Sequence, residues 1–251
     1  MSGTTTAVIL LSSLSCLTAG LGVALALWVR ENARALAAGI GFSAGIMVII
    51  SGCELIPESI AAMGTGATPA TVVAGGALVW SANVIIPHTH LVKEEGIARK
   101  ALIRSAYLVA FGLILHDVPE GFAMANAYVA NPALGVLVSL VIALHNVPEE
   151  FAMAVPLVML RSKASLYGAA VLSALAEPLG AVIGLVAVGF APALNAHFLA
   201  FAAGAMLFVS VHELVPMARR YRHLGFFIWG SALSALVYVL LASLTTGLAA
   251  P

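Results

Sequence analysis

The sequence predicts an all-α polytopic membrane protein with eight transmembrane helices, and three observations carry this prediction. The chain is 62% hydrophobic and 9% charged, whereas a soluble domain has about 25% charged residues. Apolar runs recur along the chain at about the length that crosses a bilayer, roughly 20 residues. The Lys and Arg residues, which set membrane topology, occur only in every second gap between those runs or, for Arg104, in the first turn of the run that follows such a gap.

The eight predicted helices follow the apolar runs, and short breaks rich in Gly, Pro or charged residues separate them. The first run has no basic residue before it and is longer than a signal-peptide core, so we expect it to be retained. All eight helices are assigned to one transmembrane domain over residues 1–251. Their predicted ranges are 7–29, 36–56, 71–86, 101–127, 133–159, 165–190, 193–215 and 226–249.

The basic residues predict the orientation. All eleven Lys and Arg residues follow predicted helices 1, 3, 5 or 7, and the two ends of the chain contain none. Because basic loops stay in the cytoplasm, both termini are expected outside it, in a multi-pass protein of the cell (inner) membrane. The net charge of zero does not favour a nucleic-acid partner. The expected partners are the lipid bilayer and divalent metal cations.

A repeated polar motif lies inside predicted helices 4 and 5. Residues 116–125 read His-Asp-Val-Pro-Glu-Gly-Phe-Ala-Met-Ala and residues 145–154 read His-Asn-Val-Pro-Glu-Glu-Phe-Ala-Met-Ala, so eight of ten positions are identical. Glu177 lies near the midpoint of predicted helix 6. Charged side chains in the bilayer interior cost about 2.5–3.5 kcal/mol each on insertion scales and mark ion pathways. The motif therefore predicts a cation site at the membrane midplane.

A second repeat relates predicted helices 2 and 7. Residues 42–57 and 201–216 share Phe, Ala, Gly, Met, Ser, Glu, Leu and Pro at matching positions. Helix 2 is predicted to run outward and helix 7 inward, so the two segments have inverted topology. We infer that helices 1–3 are repeated as helices 6–8, with helices 4 and 5 as a central pair. Inverted repeats of this kind are typical of carriers that work by alternating access.

The residue types in the polar motif indicate its cargo. In each copy the His and the Glu are four residues apart and share a helix face. Imidazole nitrogen with carboxylate oxygen suits zinc, and also iron and manganese. Four carboxylates in helices 4, 5 and 6 would balance two divalent cations, which predicts a binuclear metal centre. The candidate ligands are His116, Asp117, Glu120, His145, Asn146, Glu149 and Glu177.

Three segments carry a resemblance to a known family. His-Asp-Val-Pro-Glu-Gly at 116–121, His-Asn-Val-Pro-Glu-Glu at 145–150 and Ala-Glu-Pro at 176–178 resemble the transport motifs of the ZIP (Zrt-/Irt-like protein) family of divalent metal transporters, in its bacterial GufA-like branch. The resemblance implies an eight-helix carrier that moves Zn²⁺, with Fe²⁺, Mn²⁺ and Cd²⁺ as further candidates, into the cytoplasm. It also implies that the seven candidate residues are metal ligands.

The resemblance extends to a cytoplasmic exit path and has two departures. His212 and Glu213 on helix 7 match the exit path, and the loop after helix 3 offers His88 and His90 as receivers. The family commonly has Asn where this chain has Asp117, and Gly where it has Glu150. The first departure adds a charge that would tighten binding or alter selectivity, and the second adds a carboxylate whose partner the sequence does not identify.

Two other function classes use the same residues. A metal-selective channel needs the same ligands, and the sequence does not separate it from a carrier. An intramembrane zinc enzyme would need a second His at position 216, four residues after His212, where the chain has Pro216. We therefore do not expect an enzyme. The order of metal selectivity, the driving force and the formation of a homodimer are left open.

Overall fold

The computed structural model describes residues 2–29, 32–85 and 99–249, and every regular element in these ranges is helical. The α-helices are α1 (Ser2–Ser12), α2 (Leu14–Val29), α3 (Ala33–Ile50), α4 (Ile56–Ile85), α5 (Arg99–Ala130), α6 (Pro132–Met159), α7 (Lys163–Phe190), α8 (Asn195–Val209), α9 (Val215–Arg220) and α10 (Leu224–Ala249). A π-helical turn joins α3 to α4 over Ser51–Leu55, and another joins α8 to α9 over Ser210–Leu214. We refer to them as the first and the second π-turn.

Six helical segments in the described ranges are long and apolar enough to cross a membrane. They confirm the predicted class of polytopic all-α membrane protein. One of them, Ala33–Ala82, is 50 residues long and contains predicted helix 2 and most of predicted helix 3. Helix α5 contains predicted helix 4, carries the first copy of the polar motif and begins with Arg99 and Lys100.

Gly64, Gly66 and Pro69 predict a break over residues 63–70 between predicted helices 2 and 3, and this prediction is wrong in extent. The chain stays helical through this segment except at Gly64, where φ is 83° and ψ is 170°. Glycine tolerates this positive φ because it has no Cβ. The hydroxyl of Thr68 donates to the Gly64 carbonyl at 2.8 Å, and Pro69 lies within the helix that follows. One glycine therefore makes the break that eight residues were expected to make.

Two predicted helices also differ in their boundaries. Predicted helix 1 is divided into α1 and α2 at Ser13, whose hydroxyl donates to the Ile9 carbonyl at 2.7 Å. Predicted helix 7 continues past residue 215, through α9 to Arg220. The first difference lies at a polar side chain within an apolar run, and the second extends the helix over Arg219 and Arg220, whose charge predicted a break.

The two π-turns fall at matching positions of the second repeat. The N–H of Ile56 donates to the Ser51 carbonyl five residues earlier, and the N–H of Val215 donates to the Ser210 carbonyl in the same way. A proline, Pro57 or Pro216, is the second residue after each turn. A proline ring inside an α-helix clashes with the carbonyl four residues earlier, and a wider turn relieves that clash. The shared proline thus explains why both copies depart from α-helical geometry here.

Glycines bring the central helices close together. A Cβ on Gly121 of α5 would overlap with the Glu177 carbonyl oxygen of α7, and a Cβ on Gly180 of α7 would overlap with the Val118 carbonyl oxygen of α5. On the other side of α6, Gly22 of α2 lies against the backbone of residues 147–151. Contact through small residues is a common way to pack helices within a membrane. It places the polar motifs of α5, α6 and α7 side by side.

Candidate metal centre

The two copies of the polar motif lie on neighbouring helices, α5 and α6, that run in opposite directions. A single residue, Asn131, separates α5 from α6, and its side chain caps α6 by accepting the N–H of Ala133 at 2.9 Å. A connection this short makes the two helices antiparallel neighbours. As a result, the first residue of one motif lies at the level of the fifth residue of the other.

Each histidine therefore pairs with the glutamate of the other copy. His116 Nε2 lies 2.7 Å from Glu149 Oε2, and His145 Nε2 lies 2.9 Å from Glu120 Oε1. All four side chains are buried, and Glu120 and His145 are fully so. We call these four residues the imidazole face. One ligand atom from each of three of its members, His116, Glu120 and Glu149, lies within 4.8 Å of the others, a spacing that could hold one metal ion.

The orientation of the His145 ring suits a metal ligand. Its Nδ1 lies 2.9 Å from the Val141 carbonyl oxygen, which can only accept, so Nδ1 carries the hydrogen. In the neutral imidazole, Nε2 then presents a lone pair toward the Glu120 carboxylate. That contact is favourable only when a proton or a metal ion is shared between the two groups. Metal-binding histidines usually donate their second N–H to a carbonyl or carboxylate in this way.

A second group of polar side chains lies beside the first, between α5, α6 and α7. Asn146 Nδ2 donates to Glu177 Oε2 at 2.9 Å. Ser173 Oγ donates to Asp117 Oδ2 at 2.6 Å and also contacts Glu150 Oε1. We call these five residues the oxygen face. The sequence analysis missed Ser173, although its position four residues before Glu177 places both on one face of α7.

The cluster has two levels, one helical turn or about 6 Å apart. The level nearer the start of α5 and α7 holds His116, Asp117, Glu149, Glu150 and Ser173. The level nearer the start of α6 holds Glu120, His145, Asn146 and Glu177. Asp117 Oδ1 lies 3.7 Å from His116 Nε2, which links the two faces within the first level. These distances join five of the seven predicted ligands, and Asn146, which follows His145 in the chain, forms a further pair with Glu177.

Several polar atoms of the cluster are buried without a hydrogen-bond partner among the described residues. Buried polar groups are almost always paired in folded proteins, so these atoms are available to bind a metal ion or ordered water. The sequence also has no Lys or Arg between Arg104 and Arg161 or between Lys163 and Arg219. These segments therefore supply no permanently positive side chain to pair with the carboxylates. The unpartnered atoms are His116 Nδ1, Glu120 Oε2, Asn146 Oδ1, Glu149 Oε1 and Glu150 Oε2.

The residues predicted for the exit path are separate from these contacts. His212 and Glu213 lie on the second π-turn, and His212 stacks on Phe208 with ring centroids 4.7 Å apart. The hydrogen bonds that connect the cluster involve neither residue. His88 and His90 lie outside the residues that the structure describes.

Comparison with known proteins decides the family. The family described as ZIP zinc transporter matches residues 87–248, which is well over half of the chain. The chain belongs to the ZIP family. This confirms the resemblance drawn from the three motifs, all of which lie inside the matched segment. The assignment to a particular bacterial branch of ZIP stays a prediction.

Curated ZIP relatives extend the match beyond that segment. The chain is similar to the zinc transporter ZupT of Corynebacterium aurimucosum, with 37% identity over 82% of this chain and 84% of the relative. It is also similar to the ZupT of Chlorobium luteolum, with 36% identity over 94% of this chain and 98% of the relative. These relatives are named as transporters, so the chain is placed with transport proteins and not with enzymes, as the sequence predicted.

Proposed function

We propose that this ZIP protein transports divalent metal cations, with zinc as the main cargo, across the inner membrane into the cytoplasm. The observation that carries the proposal is the crossed pairing of two buried histidines with two buried glutamates, whose remaining oxygens have no hydrogen-bond partner within residues 2–29, 32–85 and 99–249. The ZupT relatives are named as zinc transporters, which supports zinc as the cargo. Fe²⁺, Mn²⁺ and Cd²⁺ are further candidates, because these ligand types bind them as well.

The cluster is proposed to hold two ions. The imidazole face would bind one, and Asp117, Asn146 and Glu177 would bind the other. Glu120 and Glu149 suit the bridging role, because each has one oxygen beside a histidine and one buried oxygen without a partner. Two divalent ions would balance the four carboxylates of Asp117, Glu120, Glu149 and Glu177.

We propose eight membrane crossings. At about 1.5 Å per residue, a straight helix of 50 residues would be roughly 75 Å long, more than twice the thickness of a hydrocarbon core of about 30 Å. The break at Gly64 would therefore divide Ala33–Ala82 into two crossings. Helix α5, which carries the first motif, would be the eighth. All eight crossings would form the single domain predicted over residues 1–251.

The proposed inverted repeat has support in both packing and local geometry. The repeat relates predicted helices 1, 2, 3 and 4 to predicted helices 6, 7, 8 and 5. Under this relation, the contact between α3 and α10 corresponds to the contact between α8 and α4, and the contact between α2 and α6 corresponds to the contact between α7 and α5. All four contacts occur. The two π-turns are a further matched pair. This symmetry favours a carrier with alternating access over a channel.

The proposed path leads from the cluster to the cytoplasm past His212 and Glu213. Both lie on the second π-turn, and π-turns within α-helices are frequent at functional sites. His88 and His90, in the loop after predicted helix 3, are proposed as receivers. The positive-inside pattern supports this direction, because that loop holds Lys93, Arg99 and Lys100.

Uptake of radiolabelled zinc into proteoliposomes tests the proposed function. We expect the reconstituted protein to give uptake that saturates with zinc concentration and rises steeply with temperature, because a carrier must change conformation for each transported load. Protein-free liposomes provide the background. Uptake equal to that background would refute transport. Uptake that grows linearly with zinc and depends weakly on temperature would replace the carrier with a channel.

Reporter fusions test the proposed orientation. A periplasmic alkaline phosphatase fused after Pro251 is expected to be active, and a cytoplasmic fluorescent protein fused there is expected to be dark, because the C-terminus is placed outside the cytoplasm. The same two reporters fused after Lys163, in a basic loop, should give the reverse result. A fluorescent C-terminal fusion would mean an odd number of crossings or the opposite orientation.

A further inference from the structure

Where Glu150 contacts Ser173, more carboxylate oxygens can accept a hydrogen bond than there are hydroxyl hydrogens to donate one. Ser173 has one hydroxyl hydrogen, yet its oxygen lies beside both Asp117 Oδ2 and Glu150 Oε1. It can donate to only one of them at a time. The second oxygen of Glu150 is buried without a hydrogen-bond partner among the described residues, and the whole side chain is 7% exposed. Two carboxylates therefore meet at one hydroxyl with unsatisfied oxygen atoms.

A buried carboxylate of this kind needs a counter-charge. Leaving an ionised group unpaired in a low-dielectric interior costs several kcal/mol. The chain has no Lys or Arg between Arg104 and Arg161, or from Ala164 to Ala218. His116 lies at the same level, but its Nε2 faces Glu149 at 2.7 Å and Asp117 at 3.7 Å. A metal cation from the adjacent cluster would supply the counter-charge that Glu150 lacks among the described residues.

We propose that Asp117, Glu150 and Ser173 form an additional all-oxygen cation position that takes a hard divalent ion, Mn²⁺. Carboxylate and hydroxyl oxygens without nitrogen or sulfur suit hard ions such as manganese, whereas the imidazole face suits zinc. The inference rests on the proposed function, because the ion reaches this position through the same cluster. It gives Glu150 and Ser173 a role in determining which metals the protein accepts.

A glycine at position 22 lets α2 pack closely against α6 beside Glu150. A Cβ at Gly22 would overlap with Glu150 Cβ and would lie 2.8 Å from both Phe151 N and the Val147 carbonyl oxygen. Helix α2 can therefore approach α6 at this position only because residue 22 is a glycine. The close approach keeps Glu150 buried while its carboxylate lies beside Ser173 on the opposite helix.

The test measures Mn²⁺ and Zn²⁺ binding separately on the purified full-length protein in detergent. Free Mn²⁺ is followed by its electron paramagnetic resonance signal, and zinc binding by equilibrium dialysis. Glu150→Gln and Ser173→Ala are each expected to weaken Mn²⁺ binding by about 10- to 100-fold, the usual range for losing a supporting metal contact. The zinc ion of the imidazole face, whose crossed pairs involve neither residue, should bind at the wild-type level, which also shows that each variant is folded. Ser139→Ala is the matched control, because the buried Ser139 hydroxyl donates only to the Gly135 carbonyl of its own helix.

The outcomes separate this inference from the proposed function. Selective loss of Mn²⁺ binding in both variants, with Ser139→Ala unchanged, supports the manganese position. Wild-type protein that binds zinc but not Mn²⁺, or variants that lose both metals equally or neither, would overturn it while zinc transport stands. Wild-type protein that binds neither metal would overturn both proposals.

Discussion

We expect Glu120→Ala and Glu149→Ala each to reduce zinc uptake into proteoliposomes by more than roughly 10- to 100-fold. That range is the usual loss of metal affinity or activity when an outer-shell partner of a metal ligand is removed. Each glutamate is proposed to bridge two ions, so one substitution affects both. Each also pairs with a histidine, at 2.9 Å for Glu120 and 2.7 Å for Glu149. The measurement is initial zinc uptake at equal amounts of reconstituted protein.

Two further variants make this result interpretable. Glu120→Gln keeps the shape of the side chain and removes its charge, so it should fail in transport like the alanine variant if the carboxylate binds metal. Glu58→Ala removes a carboxylate that lies outside the cluster and is expected to leave uptake unchanged. If both Glu120→Ala and Glu149→Ala retain wild-type uptake, the cluster is not the transport site.

Gly180→Ala is expected to lower the stability of the protein and to weaken metal binding together. The added Cβ would overlap with the Val118 carbonyl oxygen and lie 3.0 Å from Val118 Cα, so α7 must move away from α5. That movement would separate Asp117 from Ser173. Overpacking of a well-packed contact typically costs about 1–3 kcal/mol. Thermal unfolding in detergent, with and without zinc, measures both effects.

Gly168→Ala on the same helix is the matched control for this prediction. No heavy atom of a neighbouring residue lies within 4 Å of the position that its Cβ would take. Alanine is favoured over glycine in a helix by about 1 kcal/mol, so this variant should be as stable as the wild type or more so. Equal behaviour of the two variants would show that the contact between α5 and α7 does not hold the site together.

Composition and residue chemistry were enough to predict the class of the protein and the location of the candidate site. The share of charged residues and the apolar runs predicted a polytopic helical membrane protein, because the bilayer allows few other structures. The repeated motif and Glu177 were predicted to lie together, because buried charges require partners. The contacts of Asp117, Glu120, Asn146 and Glu177 agree with that expectation.

Other features depend on how helices meet, which a single sequence does not encode locally. The motif spacing put His116 with Glu120, and ligand atoms of the two lie within 4.8 Å of each other. The spacing did not predict the pairing of His116 with Glu149 at 2.7 Å, which comes from the antiparallel hairpin. Ser173 has no unusual sequence context, so its contact with Glu150 could be found only from the packing of α6 on α7. The break at Gly64 was predicted as a longer loop, because hydropathy does not report how few residues a turn requires.

The number of zinc ions bound per chain tests the central claim most directly. Purified protein is saturated with zinc, dialysed against a known free concentration and analysed for metal and protein content. We expect two ions per wild-type chain, and one ion when Asn146→Ala and Glu177→Ala are combined to remove ligands of the oxygen face. A wild-type chain that binds a single zinc ion at saturation would contradict the binuclear centre.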